Sequence, residues 1–480
     1  MNEQLKHGHC WWSLAVFVLT WLLVVGGVYP NGDDIAHLTK QIRLDQFVPV
    51  LGPHWIPNRI VDMYGRTLLT LGVEWWYGIL HPWTGMDFFR VYQLLSASVM
   101  ATLTAAVFTY IDWRARLASG KPSALARITL LVLLLTLLSW RNQVHLMAYQ
   151  LPAVLGFILL WELHQWVDTV PDRKPLDPAR IPSLCVLSYL TAFSMEAYAL
   201  LILLVWPWLA WAAWRTHAAT RQAQQPQLPV AAIATLGFGA AVQIIALLLV
   251  AFFSERVKVS NNGSGSTRPH LASILEGQIG WFLGDGRFFT LTCLAGLVYW
   301  MWRMHRISID TQSTSGWSVA RKELVFCGIV ALASVLMVTI VSHSAKKNYF
   351  SHQMYPWGDL LLIGKLALAC GFFHWISRLK EAPWIARSAI TLALVVAMTR
   401  LTVAILDDVA QRQSVAAAVA QAYSTLGNTD TAIIETGLNL IQIHETIRPL
   451  PTDDSPTWFQ LGYKQLFERY YHRQNPVAFK

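Results

Sequence analysis

The chain has 480 residues, of which 54% are hydrophobic and only 14% are Asp, Glu, Lys or Arg, whereas soluble domains carry about 25% charged residues. That balance excludes an ordinary soluble globular protein. The net charge of +9 would suit a nucleic-acid binder, but most of the excess sits in short loops between apolar runs, where it acts as an orientation signal. The 23 tryptophans suit a membrane interface, which satisfies an apolar ring and its N–H together.

A spanning helix needs about 20 mostly apolar residues. The first such run covers residues 11–29. Its apolar part is longer than that of a cleaved signal peptide and no A-x-A site follows, so it is expected to remain as a span. Further spans are expected at 88–111, 127–140, 146–165, 181–195, 197–214, 230–253, 287–302, 323–342, 357–377 and 388–406, about eleven in all. The pair 181–195 and 197–214 can also be read as one long bent helix, which would reverse the direction of everything after it.

The distribution of basic residues bears on that alternative. Alternate loops carry Arg114, Arg116, Lys121 and Arg127, then Arg173, Lys174 and Arg180, then Arg215 and Arg221, then Arg303, Arg306, Arg321 and Lys322, and finally Arg378, Lys380 and Arg387. The alternation holds on both sides of the ambiguous pair and supports two helices there. It puts the N-terminus in the cytoplasm and the tail after Leu406 outside. The expected fold class is an all-α polytopic membrane protein with a long first outer loop, 30–87, that holds interfacial helices. The expected domains are a transmembrane domain over 1–406 and a small extracytoplasmic α/β tail over 407–480. That tail opens with a polar helix from Asp407 and has a strand in TAIIET.

The five cysteines, Cys10, Cys185, Cys293, Cys327 and Cys370, form no CxxC pair, and four lie in expected helices. They read as small apolar packing residues. His7, His9 and Cys10 form an HGHC cluster; without a second half-site it reads as a solvated tail rather than a metal centre.

The outer segments hold the residues that could carry chemistry. Asn31-Gly32-Asp33-Asp34 follows the first span and precedes a stretch with Ile35, Leu38 and Ile42 on one helical face. One carboxylate there suffices to cap a helix. The second is left over, and adjacent anions at a membrane boundary are costly. Arg59 and Arg66, seven apart, share a face if the segment is helical. With His54, Trp55 and Tyr64 they form a candidate pocket for a phosphate and a sugar, or an interfacial anchor on lipid headgroups. Glu74, Trp75 and Trp76 suit an aromatic belt. Arg141, His145 and Tyr149 line the outer turn WRNQVHLMAYQLP, and Glu196 lies at the outer hairpin tip in FSMEAY. An acid at membrane depth is a functional candidate by default, although a hairpin tip is also a place where water reaches. Lys346 and Lys347, like Arg256 and Lys258, lie on the outer face against the positive-inside bias, for which anionic lipid phosphate is the simplest reason. Arg400 lies within the last span and either pairs, approaches a phosphate or snorkels.

This arrangement resembles the GT-C superfamily of membrane glycosyltransferases: a cytoplasmic N-terminus, a first helix, then a large outer loop that opens on an acidic pair and holds interfacial helices. The WRNQVHLMAYQLP turn and the FSMEAY segment look like those of bacterial GtrII-like and related membrane glycosyltransferases. The resemblance covers the topology of most of the chain, with Asp33 and Asp34 as the positions carried over. It implies a polyprenyl-phosphate sugar donor, a glycan or lipid acceptor and transfer on the outer side of a bacterial cytoplasmic membrane. It further implies Asp33 or Asp34 as general base, and Arg59, Arg66, Lys346 and Lys347 as phosphate contacts. Some relatives use a divalent metal held by carboxylates; this chain has no dense acidic cluster beyond the pair, so the resemblance leaves a divalent metal possible without implying one.

Two other readings compete. A polymerase or ligase of lipid-linked glycans would also place Arg and His outside, but usually keeps its large loop late in the chain. A lipid or solute transporter tends to show internal repeats and helices broken at the midplane. No repeat is visible here, and the polar residues gather at one face.

Overall fold

The structure is a computed structural model that describes residues 3–29, 88–119, 122–138, 146–168, 180–222, 230–253, 315–344, 360–377, 379, 383–425, 432–434 and 477–479. Ten α-helices lie among the described residues: α1 (Glu3–Val25), α2 (Phe88–Ser119), α3 (Ala124–Leu137), α4 (Leu151–Asp168), α5 (Arg180–Ala192), α6 (Glu196–Gln222), α7 (Val230–Phe253), α8 (Ser315–Ser344), α9 (Leu362–Ser377) and α10 (Trp384–Thr425). A π-helical turn, Leu146–Gln150, leads into α4, and two short strands, β1 (Ala432–Ile434) and β2 (Val477–Phe479), close the chain. The expected span at 287–302, the loop 30–87 and the segment 254–286 lie outside the described residues.

Four helical windows are long and apolar enough to cross a bilayer: Arg90–Arg116, Glu196–Arg215, Glu323–Ser342 and Trp384–Ser414. The shortest has 20 residues, which at 1.5 Å per residue matches the about 30 Å hydrocarbon core. Shorter apolar helices accompany them. The exposed residues fit the same solvent. Trp11, Leu14, Val18 and Leu22 recur at steps of three and four on α1 and are exposed, a lipid-facing stripe that water would penalise. Leu392, Val395, Val396, Val403 and Leu406 do the same on α10. The protein is a mostly α-helical, multi-span membrane protein.

Hydrocarbon offers no hydrogen bonds, so polar side chains on these helices must find partners within the protein. On α2, the hydroxyls of Ser98, Thr102, Thr104 and Thr109 each donate to the carbonyl four residues earlier, at 2.6–2.9 Å. The same device serves Thr136 on α3 and Thr339 on α8. It lets hydroxyls sit in apolar helices without a second chain. At the start of α3 the Ser123 hydroxyl accepts from the Ala126 N–H at 3.2 Å as an N-cap.

The helices fall into two compact units. The first holds α1, α2, α3, α10 and the strands. Trp12 stacks on Phe108, and the Ser13 and Thr109 hydroxyls share a hydrogen bond of 2.6 Å. Farther along α1, Trp21 Nε1 donates to Ser98 Oγ at 3.2 Å, and Gln93 Nε2 donates to the Val28 carbonyl at 3.0 Å. Numbers rise along α1 as they fall along α2, so the two are antiparallel. α3 meets α10 through Val132 against Ala397 and Met398. α10 is one helix of 42 residues, running unbroken through Leu406 and Asp407, where the tail was expected to begin. Beyond it, β1 pairs in parallel with β2, Ile433 opposite Ala478.

The second unit holds α4 to α9. Trp161 on α4 is fully buried, 4.8 Å from the Phe326 ring of α8, and its Nε1 donates to Glu323 Oε2 at 3.1 Å. His164 stacks on Phe326 at 4.0 Å. Along α8 and α9, Ser334 lies against Gly364 and Cys327 against Gly371, an antiparallel contact. α5 and α7 run parallel: the Ser188 carbonyl accepts from Gln243 Nε2 at 3.0 Å, while Ala192 and Phe193 pack on Val242 and Ala246. A β-carbon on Gly239 of α7 would lie 3.4 Å from both the Ser188 hydroxyl and the Trp206 ring. In one continuous helix residues 188 and 206 would stand about 27 Å apart. The chain therefore turns back between α5 and α6, and the bent-helix alternative does not hold. α5 itself has only 13 residues, about 20 Å of helix, short of a full crossing.

α9 lies tight against α8 at Gly364, where a β-carbon would lie 2.7 Å from the Cβ and Oγ of Ser334. Gly364→Ala is expected to cost about 1–3 kcal/mol, read as a lowered unfolding midpoint of the purified protein in detergent micelles. Adding Ser334→Gly, which removes both of the nearest atoms, should recover most of that loss. Equal losses in the single and double variants would place the clash elsewhere.

Candidate functional site

Of the residues singled out above for catalysis or substrate binding, Asp33, Asp34, His54, Arg59, Tyr64, Arg66, Arg141, His145, Lys346 and Lys347 lie outside the described residues. Glu196 lies within them, at the point where the second unit reverses direction.

The local structure there follows from backbone hydrogen bonding. The Phe193 N–H donates to the Tyr189 carbonyl at 3.0 Å and ends α5. The Met195 carbonyl then accepts from the N–H groups of Tyr198 and Ala199, at 3.0 and 3.3 Å, and opens α6. Only Phe193, Ser194 and Met195 separate the helices. Met195 holds the N-cap position but has no side-chain acceptor to offer. Glu196, in the first turn of α6, supplies a negative charge where the helix dipole favours one.

At the tip of this reversal Glu196 is half-buried, and its neighbours are enclosed. Ser194 is fully buried, Met195 is 5% exposed, and Tyr198 is fully buried. Two polar atoms are enclosed with the apolar ones. Glu196 Oε2 and Ser194 Oγ are both buried without a hydrogen-bond partner among the described residues. A buried polar atom left unsatisfied costs on the order of 1–3 kcal/mol, and a carboxylate costs more. The hydroxyls of α2 show how cheaply a serine is satisfied in a helix. Ser194 lacks that route because it sits in the turn. Chemically, Glu196 offers a carboxylate acceptor and Ser194, two residues before it, a hydroxyl that both donates and accepts. That combination recognises hydroxyl or ammonium groups.

α4 packs on both α5 and α6. A β-carbon on Gly156 of α4 would lie 3.1 Å from the Thr191 side chain, five residues before Glu196. The N-terminal part of α4 thus runs beside the C-terminal part of α5. The turn before α4, within WRNQVHLMAYQLP, is π-helical, and its Tyr149 and Gln150 are buried. Single π turns in membrane helices often accompany functional sites.

Sequence reasoning missed three groups. Ser194 was not singled out, because a serine in an apolar run ordinarily bonds its own helix. Arg116 and Arg127 read as loop charges that set orientation, yet both are buried against Asp112: Arg116 Nε lies 2.9 Å from Oδ2 and Arg127 Nε 2.9 Å from Oδ1. Arg114 is 4% exposed in the same turn. The available signal was Asp112 four residues before Arg116, which looks like an ordinary surface pair. Glu323, the partner of Trp161, fell at the edge of an expected span. Cys327 and Cys370 are buried and free. Arg400 is exposed on α10, with no ion pair among the described residues. Arg215 lies over the Trp211 ring at 5.5 Å, a pairing suited to the end of a span.

No family model matches the chain, and no curated protein or solved structure matches it. Among the described residues no group of three or more His, Cys, Asp or Glu side chains converges to hold a metal ion.

Because the enclosed oxygen of Glu196 has no partner, Glu196→Gln is expected to leave stability unchanged or raise it by up to about 2 kcal/mol. Thermal unfolding of the purified protein in micelles measures this. A clear fall in the midpoint would mean that the carboxylate is structurally engaged.

Proposed function

We propose that the chain is a membrane glycosyltransferase of GT-C type, moving a sugar from a polyprenyl-phosphate donor to a hydroxyl of an envelope glycan or lipid. The reaction takes place on the outer side of a bacterial cytoplasmic membrane. The observation that carries this reading is that a carboxylate oxygen of Glu196 and the hydroxyl of Ser194, two residues apart in one turn, are both buried without partners among the described residues. A transporter of neutral lipid would have little use for such a pair, whereas a sugar supplies hydroxyls that satisfy both atoms.

In this reading Glu196 and Ser194 position a sugar hydroxyl. Asp33 or Asp34 takes the proton from the acceptor hydroxyl as its oxygen bonds to the anomeric carbon. The bond from that carbon to the phosphate oxygen breaks, and the lipid phosphate leaves with the electron pair. Phosphate needs no general acid to depart. Arg59, Arg66, Lys346 and Lys347 stabilise the charge it gains; His54, Tyr64, Arg141 and His145 complete the substrate contacts. The finer architecture belongs to the same proposal: about eleven spans, interfacial helices in 30–87, and an outer tail after Leu406. The partners are the lipid-linked donor, the acceptor and membrane lipids, without nucleic acid.

Transfer of radiolabelled hexose from a polyprenyl-phosphate carrier, measured in membranes containing the full chain, tests the proposal. At least one of Asp33→Asn and Asp34→Asn is expected to lower the rate by about 10²–10⁴-fold, with the folded protein present at normal levels. Glu196→Gln should raise KM more than it lowers kcat. Wild-type rates in both aspartate variants would remove the base assignment. No transfer by the wild-type chain, with uptake or flipping of the carrier instead, would favour the transporter reading.

A further inference from the structure

In the first unit, the C-terminal part of α2 meets the start of α3 around Asp112. Its Oδ1 accepts from Arg127 Nε and its Oδ2 from Arg116 Nε, each at 2.9 Å. The side chains are 2% exposed for Asp112, 5% for Arg127 and 10% for Arg116. One carboxylate therefore faces two guanidinium groups out of bulk water, an excess of one positive charge in this triad.

The geometry of the pairing makes the excess specific. Each arginine reaches Asp112 through Nε, so neither forms the two-point fork that uses Nε and an Nη together on one carboxylate. Arg116 Nη2 and Arg127 Nη2 are left buried, without a hydrogen-bond partner among the described residues. Trp12 stands 5.2 Å from the Arg127 guanidinium, which offsets part of the charge through the ring face but accepts no N–H hydrogen bond of ordinary strength. Burying a charge that its counter-ion only partly matches is unfavourable. Two such donors beside a single carboxylate are what an added anion would satisfy.

We infer that Arg116 and Arg127 form an oxyanion site, in which one phosphate group bridges their two Nη2 atoms beside Asp112. A tetrahedral phosphate presents oxygens in several directions and suits two guanidinium groups held around a common carboxylate. Its charge cancels the excess that Asp112 leaves. The positive-inside pattern puts this end of α2 on the cytoplasmic side, where anionic phospholipid headgroups are abundant. A soluble phosphate ester has the same chemistry. The site is independent of the transfer chemistry proposed above, which belongs to the opposite side.

Native mass spectrometry of the full chain, released from micelles doped with phosphatidylglycerol or phosphatidylcholine, tests the inference, with inorganic phosphate added as competitor. The wild type should hold phosphatidylglycerol at least tenfold more tightly than phosphatidylcholine, or should bind inorganic phosphate with no lipid preference. The first result identifies a lipid headgroup as the occupant and the second a soluble phosphate. The double variant Arg116→Lys/Arg127→Lys keeps a cation opposite each Asp112 oxygen but removes both Nη2 donors; it should lose that binding about tenfold. If the wild type neither prefers phosphatidylglycerol nor binds phosphate, the site does not exist, whatever the variant does. Undiminished binding in a folded double-lysine variant would overturn it equally. If that variant fails to fold, Asp112→Asn, which retains both arginines and enlarges the excess charge, should bind phosphate at least as tightly as the wild type. Weaker binding by folded Asp112→Asn would contradict the inference.

Discussion

Everything in this molecule answers to one constraint: hydrocarbon supplies no hydrogen bonds. Backbone groups are therefore paired inside helices, and hydroxyls such as Thr104 and Ser334 return to the carbonyl four residues earlier. Polar side chains that bridge helices do so at close range, as Trp161 does to Glu323 at 3.1 Å and Gln243 to the Ser188 carbonyl at 3.0 Å. The economy is incomplete, for among the described residues Thr20, Thr129 and Trp208 also keep a buried polar atom without a partner. The reversal between α5 and α6 departs from it twice, at Ser194 and Glu196, and the Asp112 triad twice more, at Arg116 and Arg127.

The two departures differ in sign. At Glu196 an acceptor lacks donors, in a turn enclosed by the second unit, and its chemistry suits hydroxyl groups. At Asp112 donors lack acceptors, and the chemistry suits an oxyanion. Each site keeps part of its charge matched, at Asp112 through two ion pairs of 2.9 Å and at Glu196 through the helix dipole, while single polar atoms stay unpartnered among the described residues.

The helical, multi-span character of the fold is legible in the sequence, because apolar run length acts directly on insertion. The run at 230–253 coincides with α7, and the FSMEAY break falls where α5 ends and α6 begins. Helix ends are less legible. α1 starts at Glu3 and α10 continues to Thr425, because hydropathy marks where a helix leaves lipid and not where its backbone stops. Residues 407–425 contain no proline or glycine to end the helix. α5 is shorter than its apolar run because the turn at 193–195 takes the last residues. In the candidate site, Glu196 was legible as an acid at membrane depth. Ser194 was not, since only the turn geometry denies it a helical acceptor. Asp112 was hidden by its likeness to a surface pair, and only the burial of Arg127 from the next helix distinguishes it.

The transfer chemistry is proposed for the outer side of the membrane and the phosphate site for the cytoplasmic side. Labelling single cysteines with a membrane-impermeant maleimide in intact cells tests that placement most directly. Asp34→Cys, Arg59→Cys and Lys121→Cys would be introduced separately into a chain whose five cysteines have been replaced. The account predicts that the first two label from outside and that the third labels only after the membrane is opened. Labelling of Lys121→Cys in intact cells, with protection of the first two, would contradict it.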